Sequence, residues 1–343
     1  MTTAPPLPAP PGAVSVIIPT FNCAAYIGDA IRSVLTQTHR PHEILVVDDG
    51  STDATAAVVA ACGDRVRYLR QANAGVAVAR NTGLRMASGD AVAFLDADDW
   101  WEPEKLAIQM QVVAACPDVD LVCSDFSLVD DRGERRQARY VKDKYRVFKA
   151  YGLDWPDMFP SRLELPDGAG VVFHGRAFPA LYLGNFLNTS SVVLRRRAIA
   201  RAGEFTATLR TQEDYEYWLR VASGGGMAYV DRPLLAFRRR DGQLTAADQQ
   251  VRLNEDMLSV VQAMAPTARA VMPAAQVASR VSERAVAVAL ARLGAGDAPG
   301  ARRGLRIALK SRPLSTTALA LYVGSWLPPG FVDRLRRTVR GRR

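Results

Sequence analysis

The chain has 343 residues, of which 48% are hydrophobic and 23% are charged, a globular composition with room for one large domain and an appendage. No stretch reaches about 18 uninterrupted apolar residues, which argues against a membrane-spanning helix. The formal net charge of +9 favours an anionic partner, but charge alone does not distinguish nucleic acid, a phospholipid surface and a phosphorylated substrate.

The N-terminal segment, residues 1–13, is rich in proline and lacks the basic start and apolar middle of a signal peptide. We therefore predict a disordered leader on a protein that stays in the cytoplasm. The four cysteines are scattered without a CxxC pair, which favours free, buried thiols over a disulfide framework or a zinc site.

From residue 14 onwards, short β-rich runs alternate with segments that carry apolar residues at helical spacing. The predicted strands are residues 14–18, 43–47, 65–69 and 91–95, with helices over 26–35, within 51–63 and over 76–87. The strands are almost continuously hydrophobic, as expected for strands that are buried on both sides. This alternation predicts an α/β fold, a doubly wound and mostly parallel sheet with helices on both faces.

The pattern loosens over residues 132–187, where we expect loops and short elements because no clear period is visible. Beyond about residue 245 the sequence becomes rich in alanine and helical in pattern. The predicted organisation is a domain over residues 14–240 and a helical C-terminal appendage over 241–343 that ends in a basic tail.

Polar residues collect at the ends of three predicted strands. PTFN (19–22) follows the first strand, DDGS (48–51) the second and DADD (96–99) the fourth. Because ligands of such sheets bind beyond the carboxyl ends of the strands, these three clusters are expected to converge on one crevice.

The DADD cluster has two interpretations. Asp96 and Asp98 lie two residues apart on extended chain and point the same way, and carboxylate oxygens suit Mg²⁺ or Mn²⁺. Such an ion could bridge a diphosphate. The alternative is a solvated acidic turn that caps the helix beginning near Pro103. Neither GxGxxG nor GxxxxGK[ST] follows the first strand, which argues against dehydrogenase and P-loop functions.

The ordered series VSVIIPTFN, VVDDGSTD, NAGVAVARNTGL, GDAVAFLDADD and QEDYEYWLR resembles family 2 glycosyltransferases over residues 14–240. The resemblance implies the GT-A fold and transfer of a sugar from a nucleotide-diphosphate donor, with a UDP-sugar favoured, to an acceptor hydroxyl with inversion. It implies Mg²⁺ or Mn²⁺ as cofactor, a glycan or lipid-linked acceptor in bacterial surface glycan or polysaccharide synthesis, and no nucleic-acid partner.

The resemblance also assigns roles to individual residues. Those matched to the nucleotide and phosphates are Pro19, Thr20, Phe21, Asn22, Asp49, Arg80, Asn81 and Asp96. Among them, Asp49 matches the residue that recognises the base, whereas Asp48 is expected to brace its turn. Asp98 matches the metal ligand of the DxD motif, and Asp96 matches a ribose contact and second ligand.

Each assignment has a structural alternative. Phe21 could stack on a base, although a lone aromatic is more often a core residue. Asp49 could instead cap the helix that starts at Ser51 to Asp53. Arg80 could be a solvated helix residue.

Inverting transfer is a single displacement, so one carboxylate must remove the proton of the acceptor hydroxyl. Asp214 matches the family's catalytic base, and the neighbouring Glu213 is the second candidate. The alternative is an acidic cap, because acidic residues favour the first turn of a helix.

Further basic and histidine residues have weaker assignments. Arg238 to Arg240 could cover the diphosphate or form a solvated strand end. His39 and His42 are expected at the surface, and His174 is a weak candidate for an additional metal ligand. A metal-dependent nucleotidyltransferase and a non-catalytic basic surface-binding protein remain alternative functions.

The C-terminal residues 331–343 contain six arginines and one aspartate, close to Trp326 and Leu327. This pattern suits an interfacial anchor on an anionic membrane surface, which would make the protein peripheral on the inner face of the membrane. The alternative is a helical tail that packs on the domain and frays at its basic end.

Overall fold

The computed structural model of the chain describes residues 12–239 and 250–326. Most of the predicted leader, Arg240 and the basic tail therefore lie outside the described residues. The chain divides into two compact units, residues 1–241 and 242–343.

The described part of the first unit is built on one sheet of eleven strands. The strands are β1 Val14–Thr20, β2 Glu43–Asp48, β3 Val66–Arg70, β4 Ala91–Phe94, β5 Trp100–Trp101, β6 Val119–Val129, β7 Arg135–Gln137, β8 Ser161–Glu164, β9 Val171–Gly175, β10 Val193–Arg195 and β11 Gly226–Arg238. The helices are α1 Ile27–Leu35, α2 Thr55–Ala60, α3 Val76–Met86, α4 Lys105–Ala115, α5 Val141–Lys144, α6 Arg146–Tyr151, α7 Trp155–Met158, α8 Phe178–Leu183, α9 Arg196–Ala202 and α10 Glu213–Gly224.

The sheet has the order β3-β2-β1-β4-β10-β6-β11-β9-β8, with β5 beside β11 and β7 beside β6. Neighbours within β3-β2-β1-β4 run parallel, which confirms the predicted parallel core. Beyond β4 the sheet is mixed, because β10 lies antiparallel between β4 and β6. The short elements expected over 132–187 are present as β7, β8, β9 and α5 to α8.

The parallel strands are held in place by burial of their hydrophobic side chains. Every residue of β1 is buried, as expected for a strand that is covered on both faces. In α3, Gly83 lies so close to β1 that a Cβ atom would fall 2.4 Å from Ile17 Cγ2. The missing side chain therefore lets α3 approach β1 closely, and this places Arg80 of α3 beside the strand ends.

The described part of the second unit is helical, as predicted. Its helices are α11 Gln250–Arg269, α12 Ala274–Gly294, α13 Ala298–Ser311 and α14 Thr316–Gly324. Of all the helices described, none combines the length and the apolarity needed to traverse a bilayer.

All four cysteines are free thiols, as predicted. Cys62 is half-buried, and the other three are buried.

Candidate active site

The turn after β2 is held by the carboxylate of Asp48. Gly50 has φ +84°, a conformation that residues with a Cβ rarely adopt, and it reverses the chain here. Asp48 Oδ1 accepts a hydrogen bond from Ser51 N at 2.7 Å, and its second oxygen accepts one from the Tyr68 hydroxyl. Burial raises the pKa of Asp48, but these hydrogen bonds outweigh burial and the net shift is downward. Asp48 therefore braces the turn, as expected.

Asp49 faces the segment that leads into α3. Its carboxylate accepts hydrogen bonds from Gln71 Nε2 at 2.7 Å, Ala74 N at 2.9 Å and Gly75 N at 2.7 Å. The alternative in which Asp49 caps the helix start at Ser51 to Asp53 is wrong, since the backbone N–H groups that it binds precede α3. These contacts use three of the roughly four acceptor positions of a carboxylate and leave capacity for one more donor.

The PTFN segment forms the end of β1. Pro19 and Thr20 are buried in the strand, opposite Val47 and Asp48. Phe21 is 47% exposed, so it is not a core residue.

Asn22 has φ +50°, and its side-chain oxygen accepts a hydrogen bond from Thr52 N at 2.8 Å. Phe21 and Asn22 therefore present accessible side chains beyond the strand, whereas Pro19 and Thr20 shape the floor beneath them.

Arg80 links two acidic segments that are far apart in sequence. It donates to Glu213 Oε1 at 2.8 Å and to Asp96 Oδ1 at 2.9 Å, and its side chain is only 5% exposed. Burial lowers the pKa of Arg80, but the nearby carboxylates raise it further than burial lowers it. The guanidinium is thus a fixed positive charge, and the solvated-helix alternative is wrong.

The DADD residues alternate between two environments. Asp96 and Asp98 are half-buried, whereas Ala97 and Asp99 are buried. The predicted extended chain is wrong here, because Asp99 N donates a hydrogen bond to Asp96 O at 3.1 Å and closes a turn. Asp99 accepts hydrogen bonds from Ser190 Oγ at 2.7 Å and Arg238 N at 3.0 Å. Burial, with Asp98 and Asp96 nearby, raises the pKa of Asp99 well above its usual range. The protonated form of Asp99 is therefore favoured by burial together with the negative charge of Asp96 and Asp98 at the end of β4.

Asp96 and Asp98 fit part of a divalent cation site. Within residues 12–239 and 250–326, no group of three or more His, Cys, Asp or Glu side chains is arranged to hold a metal ion. Two carboxylates are nevertheless a suitable protein contribution for Mg²⁺, which often takes its other ligands from substrate phosphates and water. The donor set and the negative charge of Asp96 and Asp98 thus fit a cation that arrives with a diphosphate.

The three histidines belong to no such group. His174 lies in β9, where it pairs with Ser161 and Ala228. His39 is half-buried and His42 is exposed; both precede β2, at the opposite end of the strand from Asp48.

Asp214 and Glu213 begin α10. Asp214 is half-buried, and its carboxylate accepts hydrogen bonds from Thr189 Oγ1 at 3.1 Å and Tyr215 N at 2.6 Å. The preceding Gln212 has φ +63°. It shares this unusual backbone with Asn22, and no other described non-glycine residue has positive φ. Strained backbone of this kind is common at functional sites.

Glu213 is buried against Arg80. Burial and Asp214 raise the pKa of Glu213, Arg80 lowers it, and the net effect places this pKa at about 7.

Asn81 lies one residue beyond Arg80 but points into the protein. Its Nδ2 donates to Phe205 O at 2.9 Å, and its Oδ1 accepts from Phe205 N at 2.7 Å. Both ends of the amide are therefore used by one backbone segment. The structure does not bring Asn81 to the nucleotide contacts expected from the sequence; it places Asn81 as a clamp on the chain before α10.

Arg238 holds the DADD segment from β11. Its Nε donates to Asp98 O at 3.0 Å, and its other nitrogens donate to Asp131 O at 2.8 Å and Asp29 Oδ2 at 3.2 Å. The guanidinium also lies 4.9 Å from the Trp100 ring centroid. These contacts show that Arg238 supports the loop after β4. Of the other two arginines that are candidates to cover the diphosphate, Arg239 is exposed and Arg240 lies outside the described residues.

Lys144, at the end of α5, is a residue of this region that the sequence did not reveal. Its Nζ lies 3.6 Å from the centroid of the Phe237 ring. Burial lowers the pKa of Lys144 to about 8, while Asp99 and Asp214 are the strongest influences that raise it. The ammonium group of Lys144 thus interacts electrostatically with both the DADD residues and the candidate base, Asp214. It comes from a segment whose sequence has no periodic pattern.

Residues 15–174 match the model described as Glycosyl transferase family 2. An uncharacterized glycosyltransferase of Rickettsia felis is 29% identical over 237 residues, which cover 68% of this chain and 34% of the relative. An uncharacterized glycosyltransferase of Nostoc sp. is 48% identical over 152 residues, which cover 41% of this chain and 47% of that protein.

The fold is similar to that of S. aureus TarS 1–349 in complex with UDP-GlcNAc. The TM-score is 0.60 at 19% identity, and the match covers 95% of this chain and 92% of the TarS chain. Against the curated relatives the coverage is smaller, since the chain spans about a third of the length of the first two that it matches.

Proposed function

The chain belongs to glycosyltransferase family 2 and has the GT-A fold, and from this we propose that it transfers a sugar from a nucleotide-diphosphate donor to an acceptor hydroxyl with inversion. A UDP-sugar is the proposed donor, because the similar TarS structure is a complex with UDP-GlcNAc. The proposed setting is bacterial surface glycan or polysaccharide synthesis.

The observation that carries this proposal is the bridge made by Arg80. One buried guanidinium ties Asp96, at the donor end of the sheet, to Glu213, beside the candidate base. Inverting transfer requires the donor's leaving group and the acceptor's base to be held in one rigid arrangement. Arg80 supports such an arrangement, because it joins segments separated by 133 residues.

Asp214 is the proposed general base, and Glu213 the proposed positioning residue. Asp214 is half-buried, so its carboxylate can meet an acceptor hydroxyl. Glu213 is 8% exposed and is bound to Arg80, which limits its contact with a substrate.

On the donor side, Phe21, Asn22 and Asp49 are the proposed contacts for base and ribose. Asp49 retains acceptor capacity for an imide N–H, and the exposed ring of Phe21 can stack on a base. Pro19 and Thr20, buried at the end of β1, are proposed to form the floor of this subsite.

Asp98 and Asp96 are the proposed ligands of Mg²⁺ or Mn²⁺. When bound, such an ion neutralises negative charge on a departing nucleoside diphosphate. Arg80 holds Asp96 in place from one side, and Arg238 holds the backbone of Asp98 from the other.

The acceptor is proposed to be a glycan or a lipid-linked glycan. Residues 132–187 would shape its site. Lys144 in this segment interacts electrostatically with Asp214. A lipid-linked acceptor would place the enzyme on the cytoplasmic face of a membrane. The basic tail predicted to bind anionic lipid lies outside the described residues.

The proposed donor chemistry is tested by incubating the purified chain with a panel of nucleotide-diphosphate sugars, with and without Mn²⁺. We expect one or a few donors to be hydrolysed slowly, and to raise the melting temperature, only when Mn²⁺ is present. Release of pyrophosphate from a nucleoside triphosphate, without turnover of any sugar donor, would instead support the nucleotidyltransferase alternative.

A further inference from the structure

The last described helix, α14, is apolar on both of its faces. Its buried residues are Ala318, Leu321 and Gly324. The opposite face carries Leu319 and Val323, which are 53% and 58% exposed and lie four residues apart, on one side of the helix. Trp326, in the turn that follows the helix, is 64% exposed. A helix that is hydrophobic all round is normally buried, so this exposed side lacks the cover that its composition predicts.

Exposed apolar side chains are concentrated at this end of the second unit. Six large hydrophobic residues are exposed in the described chain, and four of them lie between residues 314 and 326. The fourth is Leu314, in the turn before α14, which is 92% exposed. We refer to Leu314, Leu319, Val323 and Trp326 as the α14 apolar face. A contiguous apolar group of this kind marks an interaction surface more often than single exposed residues do.

The helix before α14 contributes positive charge, and the acidic residue next to it is Asp297 at its N-cap. Residues 298–326 contain five basic residues and no acidic one. Arg303, Arg306 and Lys310 of α13 are exposed and lie three and four residues apart, on one side of the helix. Arg302 connects this helix to the apolar face, because its guanidinium lies 4.0 Å from the centroid of the Trp326 ring.

The charge on α13 is only partly offset within the described residues, where Asp297 at the start of the helix interacts electrostatically with Arg303. The carboxylates described in the second unit, Glu255, Asp256, Glu283 and Asp297, are each in an ion pair with an arginine of α11 or α12. No described carboxylate forms an ion pair with Arg303, Arg306 or Lys310.

We propose that the α14 apolar face inserts into the interfacial layer of an anionic phospholipid bilayer, with the basic side chains of α13 at the lipid headgroups. Apolar insertion combined with headgroup attraction is the usual basis of interfacial helix binding. A second copy of the chain is a poorer occupant, because it would bring like charge against like charge. The sequence beyond Trp326 adds six arginines and one aspartate, which extends the same charge.

Vesicle sedimentation of the full chain tests this assignment without donor or acceptor, so the result is independent of sugar transfer. The vesicles contain phosphatidylcholine alone or mixed with phosphatidylglycerol. We expect binding to the mixed vesicles, part of which persists at high salt, because salt screens charges but not apolar insertion. Replacing Leu319, Val323 and Trp326 by Ser should weaken partitioning about tenfold or more.

The matched control is Val271→Ser, which removes an apolar side chain that is 60% exposed in the same unit but outside α14. It should bind like the wild type. Far-UV circular dichroism checks that each variant keeps its helices. In the wild type, Trp326 fluorescence should shift to shorter wavelength on mixed vesicles, and Trp326→Phe should lose this change.

The charge contribution is tested by replacing Arg303, Arg306 and Lys310 with Gln. The control replaces Arg40, Arg65 and Arg67, three exposed residues of the first unit, and so makes an equal change in net charge. We expect several-fold weaker binding to anionic vesicles for the α13 variant and a smaller change for the control, because only the α13 charges directly precede the α14 apolar face in sequence.

Deleting residues 331–343 separates the tail from the α14 apolar face. The truncated chain should retain the salt-resistant binding. Loss of all binding on truncation would assign the membrane contact to the tail alone and overturn the proposal. It would also be overturned if the Ser variant bound like the wild type, or if its only effect were to convert a dimer to a monomer.

Discussion

Asp48 and Asp49 lie at the end of β2, whereas Asp96, Asp98 and Asp99 follow β4, and the two groups meet different partners. The hydrogen bonds to Asp48 and Asp49 come from uncharged groups, namely backbone N–H, a phenol and an amide. The DADD group lies beside Glu213 and Asp214. Its carboxyl groups interact electrostatically with the positively charged side chains of Arg80 and Lys144.

The difference separates two uses of a carboxylate. Uncharged donors hold a carboxylate in place at low cost, and they lower the pKa of Asp48 despite its burial. Like charges have the opposite effect, and together with burial they raise the pKa of Asp99 and of Glu213. The first group therefore keeps a turn in shape, and the second has the electrostatic surroundings expected of the proposed cation site and general base.

The largest effect expected from this comparison concerns Asp214. Asp214→Asn is nearly isosteric and keeps an oxygen for Thr189, so folding and nucleotide affinity should persist. Sugar transfer should fall by about 10²- to 10⁴-fold, because a positioned base is lost. Steady-state transfer and calorimetric nucleoside-diphosphate binding should be measured for this variant and for Glu213→Gln.

We expect the Glu213→Gln variant to lose less transfer activity than Asp214→Asn. A reversed order would move the base to Glu213, and near-normal transfer by Asp214→Asn would remove its proposed role.

The next effect concerns Asp98. Asp98→Ala should weaken Mn²⁺-dependent binding of a nucleoside diphosphate by about 10- to 100-fold or more, because a hard cation loses an oxygen ligand. Binding without Mn²⁺ and the unfolding midpoint should change little. Asp64→Ala, at an exposed carboxylate before β3, is the matched control. Equal Mn²⁺-dependent affinity for both variants, measured by calorimetry, would contradict the metal assignment.

The next prediction concerns Glu213, whose raised pKa should make the stability of the protein depend on pH. The pKa of Glu213 is raised from 4.5 to about 7, so the folded state binds this proton more tightly than the unfolded state does. Its contribution to stability is fully present below about pH 4.5 and is lost as pH rises through 7. Between pH 5 and pH 8 this loss should reach about 2 kcal/mol in the unfolding free energy.

Glu213→Gln should remove that part of the pH dependence, whatever its effect on absolute stability. Urea unfolding followed by tryptophan fluorescence is a suitable measurement, since four of the five tryptophans precede residue 242. Glu204→Gln, at a half-exposed ion pair with Arg85, should leave the pH dependence unchanged. Parallel pH profiles for wild type and Glu213→Gln would show that Glu213 does not titrate in this range.

The smallest effect concerns the first group. Asp48→Asn places one NH₂ group against either Ser51 N–H or the Tyr68 hydroxyl, so one hydrogen bond is lost or strained. We expect the unfolding free energy to fall by about 1–2 kcal/mol, with Mn²⁺-dependent nucleotide binding by the folded protein retained. Asp64→Asn should stay within about 0.5 kcal/mol of wild type. If Asp48→Asn abolished Mn²⁺-dependent nucleotide binding, the proposed difference between the carboxyl groups at β2 and those at β4 would be contradicted.

Most of the sheet could be predicted because its signals are local. Continuous hydrophobic runs marked β1, β2 and β4. The extended chain expected at Asp96 and Asp98 is instead a turn, closed by a hydrogen bond from Asp99 N to Asp96 O. The convergence of the PTFN, DDGS and DADD clusters followed from a general property of parallel sheets, whose carboxyl ends share one edge.

The partners of each side chain depended on contacts between distant segments. Asn81 directly follows Arg80 in sequence, yet it binds the backbone of Phe205, while Arg80 joins Asp96 to Glu213. Adjacent helical residues point about 100° apart, so only the packing of α3 decides what each one meets.

The sequence by itself determined the first four predicted strands with the helices between them, the polar clusters at three strand ends and the resemblance to family 2 glycosyltransferases, because these depend on local pattern and spacing. Only the tertiary structure decided that uncharged groups hold Asp49, that Arg80 bridges two acids, and that Lys144 lies near them. The physical reason is that charge–charge interaction and burial act through space, across segments such as residues 132–187 that carry no periodic pattern of their own.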